Sequence, residues 1–161
     1  MIKIGLGYDV HPFEKNRKLI LGGIEISNNS IGLSGHSDAD VYTHSIIDAL
    51  LGLCGYGSIG ELFPENPENK DISSILLLKK TISLLNQHYE IKIHNVDSTI
   101  ISNSIKISPI AEKIKKNISE IFDISSEQIN IKGKSGNTLG IGGKDEGIEV
   151  LTTILGDVIK K

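Results

Sequence analysis

Apolar residues recur at every second position from Ile2 to Tyr8, with Lys3, Gly5, Gly7 and Asp9 between them. A period of two belongs to an extended chain, whose successive side chains point to opposite faces. The chain therefore opens on a strand and must build a sheet around it. Residues 18–26 read as a short strand or hairpin with Gly22-Gly23 as bulge or turn. The period then changes. Residues 38–53 read as a helix capped by Ser37 or Asp38, with Val41, Ile46, Leu50 and Leu53 on its apolar side. The glycine-rich run 55–60 ends it, and Pro64 and Pro67 mark a loop to about residue 71. Ser73–His88 reads as a second helix and 91–101 as a β-branched strand. Ser108-Pro109 reads as an N-cap and N1 proline, opening a helix to about Phe122. A strand follows at 129–134. Residues 148–159 suit either element, with Ile148, Val150, Thr152 and Ile154 favouring a strand. The order β–α–α–β–α–β–β predicts an α/β (α+β) two-layer domain with a mixed sheet.

At 161 residues, 39% of them apolar and 23% charged, the chain suits a single domain spanning 1–161 and carrying its own core, not a disordered segment. A net charge of −3 argues against a nucleic-acid binder, though a local basic pocket stays possible. One cysteine, Cys54, excludes an intrachain disulfide and fits a reducing compartment. No apolar stretch approaches the ~20 residues that a bilayer span needs, and MIKIGLGYD is a strand, not the apolar segment of a leader. A cytoplasmic location, with no membrane partner, is expected. Isoleucine occurs 29 times and alanine three; lysine occurs 16 times and arginine once. That skew looks like an AT-rich genome, so a single Ile or Lys says little about chemistry.

Three groups of residues carry chemistry. Asp9 and His11 end the first strand and, two apart, project to the same side, as an oxygen and a nitrogen ligand must. Alone, the pair also suits a strand-end turn with an exposed histidine. Gly35-His36-Ser37-Asp38-Ala39-Asp40, followed by His44 and Asp48, is denser. Asp40, His44 and Asp48 are four apart and share a helix face. A histidine there can ligate a metal while a neighbouring carboxylate accepts its other ring N–H. Backbone N–H groups near Ser37–Asp40 suit an anion such as phosphate. Asp38 and Asp40 also suit plain capping. An Asp, His, His set with an open fourth position suits a catalytic zinc; a lone cysteine builds no zinc finger, and His-Glu-x-x-His is absent. The third group runs from Lys132 to Gly147, with Lys134, Ser135, Asn137 and Lys144 among six glycines. It has the composition of a phosphate-binding loop without the P-loop spacing, and an ordinary glycine-rich hairpin fits equally well. His88 and His94 stand singly and read as packed or solvent-facing.

These segments together resemble one family. GLGYDVHPF at 5–13, LGG at 21–23, GLSGHSDADVYTHSIIDALLG at 32–52, IGELFP at 59–64 and VDSTI at 96–100 carry the resemblance. Lys106 with Pro109, Ile-Lys at 131–132, LGIGG at 139–143 and EGI at 146–148 complete it. In order and spacing, over nearly the whole chain, they resemble the 2-C-methyl-D-erythritol 2,4-cyclodiphosphate synthases of the non-mevalonate isoprenoid pathway. The resemblance implies a four-stranded mixed sheet with helices on one face, three such sheets packing around a three-fold axis in a homotrimer with interfacial active sites. It implies that a cytidine-diphosphate-linked methylerythritol 2-phosphate is cyclised, the 2-phosphate attacking the β-phosphorus and CMP leaving. It places zinc on Asp9, His11 and His44, and magnesium or manganese on the diphosphate. His36 and Ser135 match positions that stabilise the transition state, and Asp48 an acid behind the zinc. Val10, Ser37, Ser58, Ile59, Gly60 and Phe63 match substrate contacts. So do Ser102, Ile105, Lys106, Ile107, Lys132, Gly133, Lys134, Gly136, Asn137, Ile141 and Lys144.

The chain departs from the family on the nucleotide and second-metal side. Ser58 stands where an aspartate holds the ribose, and Ile105 where a proline precedes the lysine. Lys134-Ser135-Gly136-Asn137 stands where Thr-Thr-Thr-Glu is usual. Asn137 offers an amide oxygen without negative charge, so weaker divalent-ion binding is expected, partly offset by Lys134 on phosphate. Near the axis, Tyr8, Ile141, Lys144 and Glu146 match a cavity that holds an isoprenoid diphosphate. Lys144 lacks the fork of the usual arginine, so weaker capture is expected. Two other readings stay open: the same fold with a changed nucleotide preference, and a zinc-bound trimeric isoprenoid-binding protein with little catalysis.

Overall fold

The structure, a computed structural model, describes residues 1–27, 29–64 and 71–161. Strand β1 (Ile2–Lys15) leads into a small hairpin, β2 (Leu19–Leu21) and β3 (Ile24–Ile26), and then β4 (Ile31–Leu33). Helices α1 (Val41–Cys54), α2 (Ile59–Leu62) and α3 (Ser74–His88) follow, then β5 (Tyr89–Ile101), α4 (Ser108–Phe122), β6 (Ile129–Lys134), α5 (Gly140–Gly143) and β7 (Gly147–Lys160). The main sheet has the order β4-β1-β7-β5-β6. β7 runs antiparallel to both β1 and β5, with a bulge between Ile93 and Asn95, while β5 and β6 are parallel, so the sheet is mixed.

The alternation that opens the chain runs opposite to a simple apolar-in rule. Ile2, Ile4 and Leu6 are 68, 66 and 63% exposed, and Tyr8 is half-exposed. Gly5 and Gly7 face inward, against α1. A Cβ on Gly5 would lie 1.8 Å from the Ala49 carbonyl oxygen, and one on Gly7 1.9 Å from that of Ser45. Only a strand with no side chains there lets α1 lie this close. The core fills the space under α1, with Tyr42, Ile46, Leu50 and Leu53 buried against Ile100, Val150 and Ile154 of the sheet, and with Leu78 and Ile114 of α3 and α4.

The sheet has five strands, not four. The extra one, β4, pairs its three residues with Phe13–Lys15, and three residues around a glycine leave no period to read. The first long helix starts at Val41 and is capped by Asp40, whose carboxylate accepts the Thr43 N–H at 3.0 Å. Ser37 and Asp38 do not cap it, because both turn toward His44 and α3. Ile107 caps α4, and Ser108 already lies within it. The end of the glycine-rich run 55–60 already belongs to the short helix α2, which starts at Ile59. The ambiguous segment is a strand, β7. Pro67 and its loop lie outside the described residues.

Candidate active site

Helix α1 lies over β1 so that His44, next to Ser45, meets the strand at Asp9 and His11; these two do not end β1, which runs on to Lys15 because its last residues pair with β4. Asp9 Oδ2 lies 3.0 Å from His44 Nδ1 and 3.0 Å from His11 Nε2, and the two ring nitrogens are 3.2 Å apart. These are the three residues on which the family resemblance places zinc, brought together from two elements. The triangle is nearly equilateral. Its edges approach the ~3.3 Å that separates ligands on one face of a tetrahedron with bonds of about 2.0–2.1 Å.

Hydrogen-bond partners fix what the triangle offers. His11 Nδ1 meets the Ser34 carbonyl oxygen, which only accepts. The ring therefore carries its hydrogen on Nδ1, and a neutral ring points the Nε2 lone pair inward. Burial pushes the Asp9 carboxyl up, but the two imidazoles beside it outweigh this and hold Asp9 at about 2. Burial pulls the His11 imidazole down, and the Asp9 carboxylate beside it more than reverses this. A carboxylate oxygen facing imidazole nitrogens at these distances calls for a positive charge between them. The donor set and its spacing fit a divalent metal.

A cavity of about 250 Å³ adjoins the triad, lined by His36, Ser37, Ile59, Gly60 and Phe63 together with the triad itself. Val10 also borders it. Asp48 lies one helical turn beyond His44. Burial pushes its carboxyl up, and its Oδ1 accepts the Ile59 N–H at 2.7 Å, anchoring α2 at the cavity wall. Asp40 does not face the metal side. It is wholly buried, and Gly22 and Gly23 donate to its two oxygens. Ser58 Oγ donates to Glu61 Oε1 at 3.4 Å.

The other candidate residues gather elsewhere. The Ser102 N–H donates to the Lys134 carbonyl at 2.9 Å and the Asn103 N–H to that of Gly142 at 3.0 Å. The Ile105 N–H donates to Ser102 Oγ, and Gly133 packs against Ile107. Ser102–Ile107, Lys134–Asn137 and Gly140–Lys144 thus form one cluster beyond the ends of β5 and β6. In the sheet order, β7 and β5 lie between β1 and β6, a lateral distance of about 14 Å. None of this cluster lines the triad's cavity. Lys132 is paired row by row with Thr99, Leu151 and Tyr8, on the exposed sheet face, and its ammonium contacts Asp97.

Two residues at the triad were not singled out from the sequence. Ser74 Oγ lies 2.8 Å from His44 Nε2. Arg17, the single arginine, donates to the Ser37 carbonyl at 3.0 Å. A serine at a helix start reads as a cap, and nothing local in the sequence points either residue at His44 or Ser37.

Known proteins agree with this picture. A family model described as the YgbB family matches residues 2–156. The chain is 58% identical over 159 residues to the 2-C-methyl-D-erythritol 2,4-cyclodiphosphate synthase of Petrotoga mobilis, covering 98% of each chain. It is 51% identical over 156 residues to that of Caldicellulosiruptor bescii, covering 96% of this chain and 98% of the relative. The CDP complex of Plasmodium falciparum IspF matches with a TM-score of 0.81 at 38% identity, over 99% of this chain and 97% of that one. The bifunctional IspDF of Campylobacter jejuni matches with a TM-score of 0.90 at 34% identity, over 99% of this chain but 43% of that longer one. Likeness of fold, and of sequence over nearly the whole length of the chain, has one reading: the chain belongs to the YgbB family of 2-C-methyl-D-erythritol 2,4-cyclodiphosphate synthases.

Proposed function

We propose that the chain converts 4-diphosphocytidyl-2-C-methyl-D-erythritol 2-phosphate into 2-C-methyl-D-erythritol 2,4-cyclodiphosphate and CMP, as a homotrimer whose active sites lie between subunits. A 2-phosphate oxygen forms the new bond to the β-phosphorus. The bond from that phosphorus to the oxygen bridging it to CMP breaks, and CMP leaves with the electron pair.

The observation that carries this reading is the split of the site. The triad and its cavity lie on one side of the chain, and the Ser102–Ile107 and Lys134–Asn137 cluster lies about three strand spacings away. A single substrate touching both groups fits a site that two copies complete. The apolar row Ile2, Ile4, Leu6 and Tyr8 with Leu151, left open on the sheet face, is of the kind that subunit contact covers.

Asp9, His11 and His44 would hold zinc, which would supply a Lewis acid for phosphate oxygens, and magnesium or manganese would neutralise the diphosphate near Asn137. The protein's own part is alignment and charge, as phosphoryl transfer demands. His36 and Ser37 bind phosphate at the cavity, with Arg17 holding the Ser37 backbone. Asp48 steadies α2, so that Ile59, Gly60 and Phe63 hold the sugar. Ser135 donates to an oxygen whose charge grows in the transition state, and Lys134 and Lys106 add positive charge. Tyr8, Ile141, Lys144 and Glu146 would border an axial cavity able to take an isoprenoid diphosphate. Among the described residues no helix is long and apolar enough to cross a membrane, and the proposed location is the cytoplasm.

The test is CMP release from the CDP-linked substrate with zinc and magnesium, beside His44→Ala. CMP and cyclic diphosphate produced in equal amounts, and lost in the variant, support the reading. Turnover of a UDP-linked analogue alone would show a changed nucleotide preference. A zinc-loaded trimer that releases no nucleotide would favour a binding role.

A further inference from the structure

We propose that Ser74 is a positioning residue for the metal: with Asp38 behind it, its hydroxyl holds His44 in the tautomer that turns an unprotonated Nδ1 toward Asp9 and His11. This rests on the reading of that triad as a metal site.

The argument is a count of hydrogens. Ser74 opens α3 and is wholly buried. Its Oγ touches two groups, Asp38 Oδ1 through a short contact and His44 Nε2 at 2.8 Å. A hydroxyl has one hydrogen and two lone pairs, and a carboxylate only accepts. The Ser74 hydrogen therefore goes to Asp38, and Ser74 Oγ can meet His44 only as an acceptor. His44 must then carry its hydrogen on Nε2, which leaves the lone pair of the neutral ring on Nδ1. That nitrogen is the one 3.0 Å from Asp9 Oδ2 and 3.2 Å from His11 Nε2.

Asp38 is built to stay in place. Its Oδ2 accepts the Ser74 N–H at 2.9 Å, its Oδ1 also accepts the Asp40 N–H at 3.2 Å, and its own N–H donates to the Ile72 carbonyl. Ser37 Oγ lies 3.1 Å from the same His44 nitrogen but also takes the Ala39 N–H. The Ser74 contact is the shorter one, and its direction is forced. The carboxylate that the sequence leads one to seek behind a ligating histidine is thus present, one hydroxyl removed. Outer partners of this kind set ring orientation and typically change metal affinity by about 10- to 100-fold.

Zinc affinity, measured by competition with a chromophoric chelator on wild type, His44→Ala and Ser74→Ala, tests this. Wild type is expected to bind and His44→Ala to lose the site. Ser74→Ala, with unchanged circular dichroism, is expected to bind about 10- to 100-fold more weakly. In the metal-free wild type, imidazole ¹⁵N shifts are expected to report His44 as the Nε2–H tautomer. Ser74→Ala binding zinc as tightly as wild type, while His44→Ala does not, would overturn the inference and leave the metal site standing. A wild type no better than His44→Ala would remove the metal reading and this inference with it. If Ser74→Ala does not fold, the wild-type tautomer decides alone, and Nδ1–H overturns the proposal.

Discussion

Asp40 Oδ1 accepts the Gly22 amide at 2.9 Å, so the cap of α1 is also the clamp of a hairpin eighteen residues upstream. Its Oδ2 takes Gly23 at 2.7 Å and the Thr43 hydroxyl at 2.7 Å. Burial pushes this carboxyl up, and those hydrogen bonds pull it back. Asp40→Asn keeps the volume but turns an NH₂ group toward donors. We expect it to cost about 3 kcal/mol or more, since a buried donor facing a donor loses the full value of a charged hydrogen bond. Urea unfolding measures this, and a loss under about 1 kcal/mol would mean that the hairpin does not depend on the carboxylate.

Gly7 sets the height of α1 above β1, and so the meeting of His44 with Asp9. A Cβ 1.9 Å from a helix carbonyl oxygen cannot be absorbed by a side-chain shift. Gly7→Ala is expected to destabilise by about 3 kcal/mol or more, and to weaken zinc binding in whatever protein still folds. A variant with native melting temperature and native zinc affinity would show that strand and helix have slack here.

Much of this was legible in the sequence, for reasons that differ by residue. Period two identified β1, and Asp9 with His11 followed from it, because spacing on a strand decides the side. It did not tell which face is covered; the glycines go inward because α1 needs the room, a fact about packing. Gly22-Gly23 was legible as a turn, with φ of 59° and 74°, but not as the partner of Asp40. Two aspartates in a capping segment look alike until the hairpin claims one and Ser74 the other. Ser74 lies thirty residues from His44, and no local pattern joins them. The nucleotide half was read from the family resemblance, since a lysine and glycine loop alone fits an ordinary turn.

Mixing two dead enzymes tests the divided site. His44→Ala leaves the Ser135 cluster whole, and Ser135→Ala leaves the triad whole. In trimers reassembled from equal amounts, about a quarter of the interfaces would pair an intact triad with an intact cluster. We expect CMP release to recover toward about a quarter of wild type. Recovery to no more than the background of either variant would place all the catalytic groups of a site on one chain.

Asp97 carries a pH signature. Hydrogen bonds from Lys132 and Asn130 hold its carboxyl below the ordinary value. The folded value lies below the unfolded one, so this contribution is complete above about pH 4 and lost as pH falls through the folded value. Asp97→Asn removes it. The melting temperatures of wild type and variant are expected to differ at pH 7 and to converge at acid pH. The gap also narrows in about 1 M salt, because the pair is exposed. A gap unchanged between pH 7 and pH 3 would assign it to packing instead of charge.

Asn137 has a backbone reason as well as a chemical consequence. It sits at φ 50°, ψ 43°, with its N–H 3.4 Å from Ser135 Oγ. Asparagine and aspartate tolerate this left-handed region, whereas glutamate there costs about 1 kcal/mol. The amide keeps an oxygen for a divalent ion but brings no charge. Asn137→Asp adds the charge at the same length and in the same conformation. It is expected to lower the magnesium or manganese needed for half-maximal CMP release by about tenfold, with stability unchanged. Asn137→Glu reaches further and is expected to gain as much affinity while melting earlier. If neither variant moves the half-saturating concentration, the second ion is held by the substrate alone, and Lys134 in this loop would then be acting on phosphate without a protein ligand for the metal beside it.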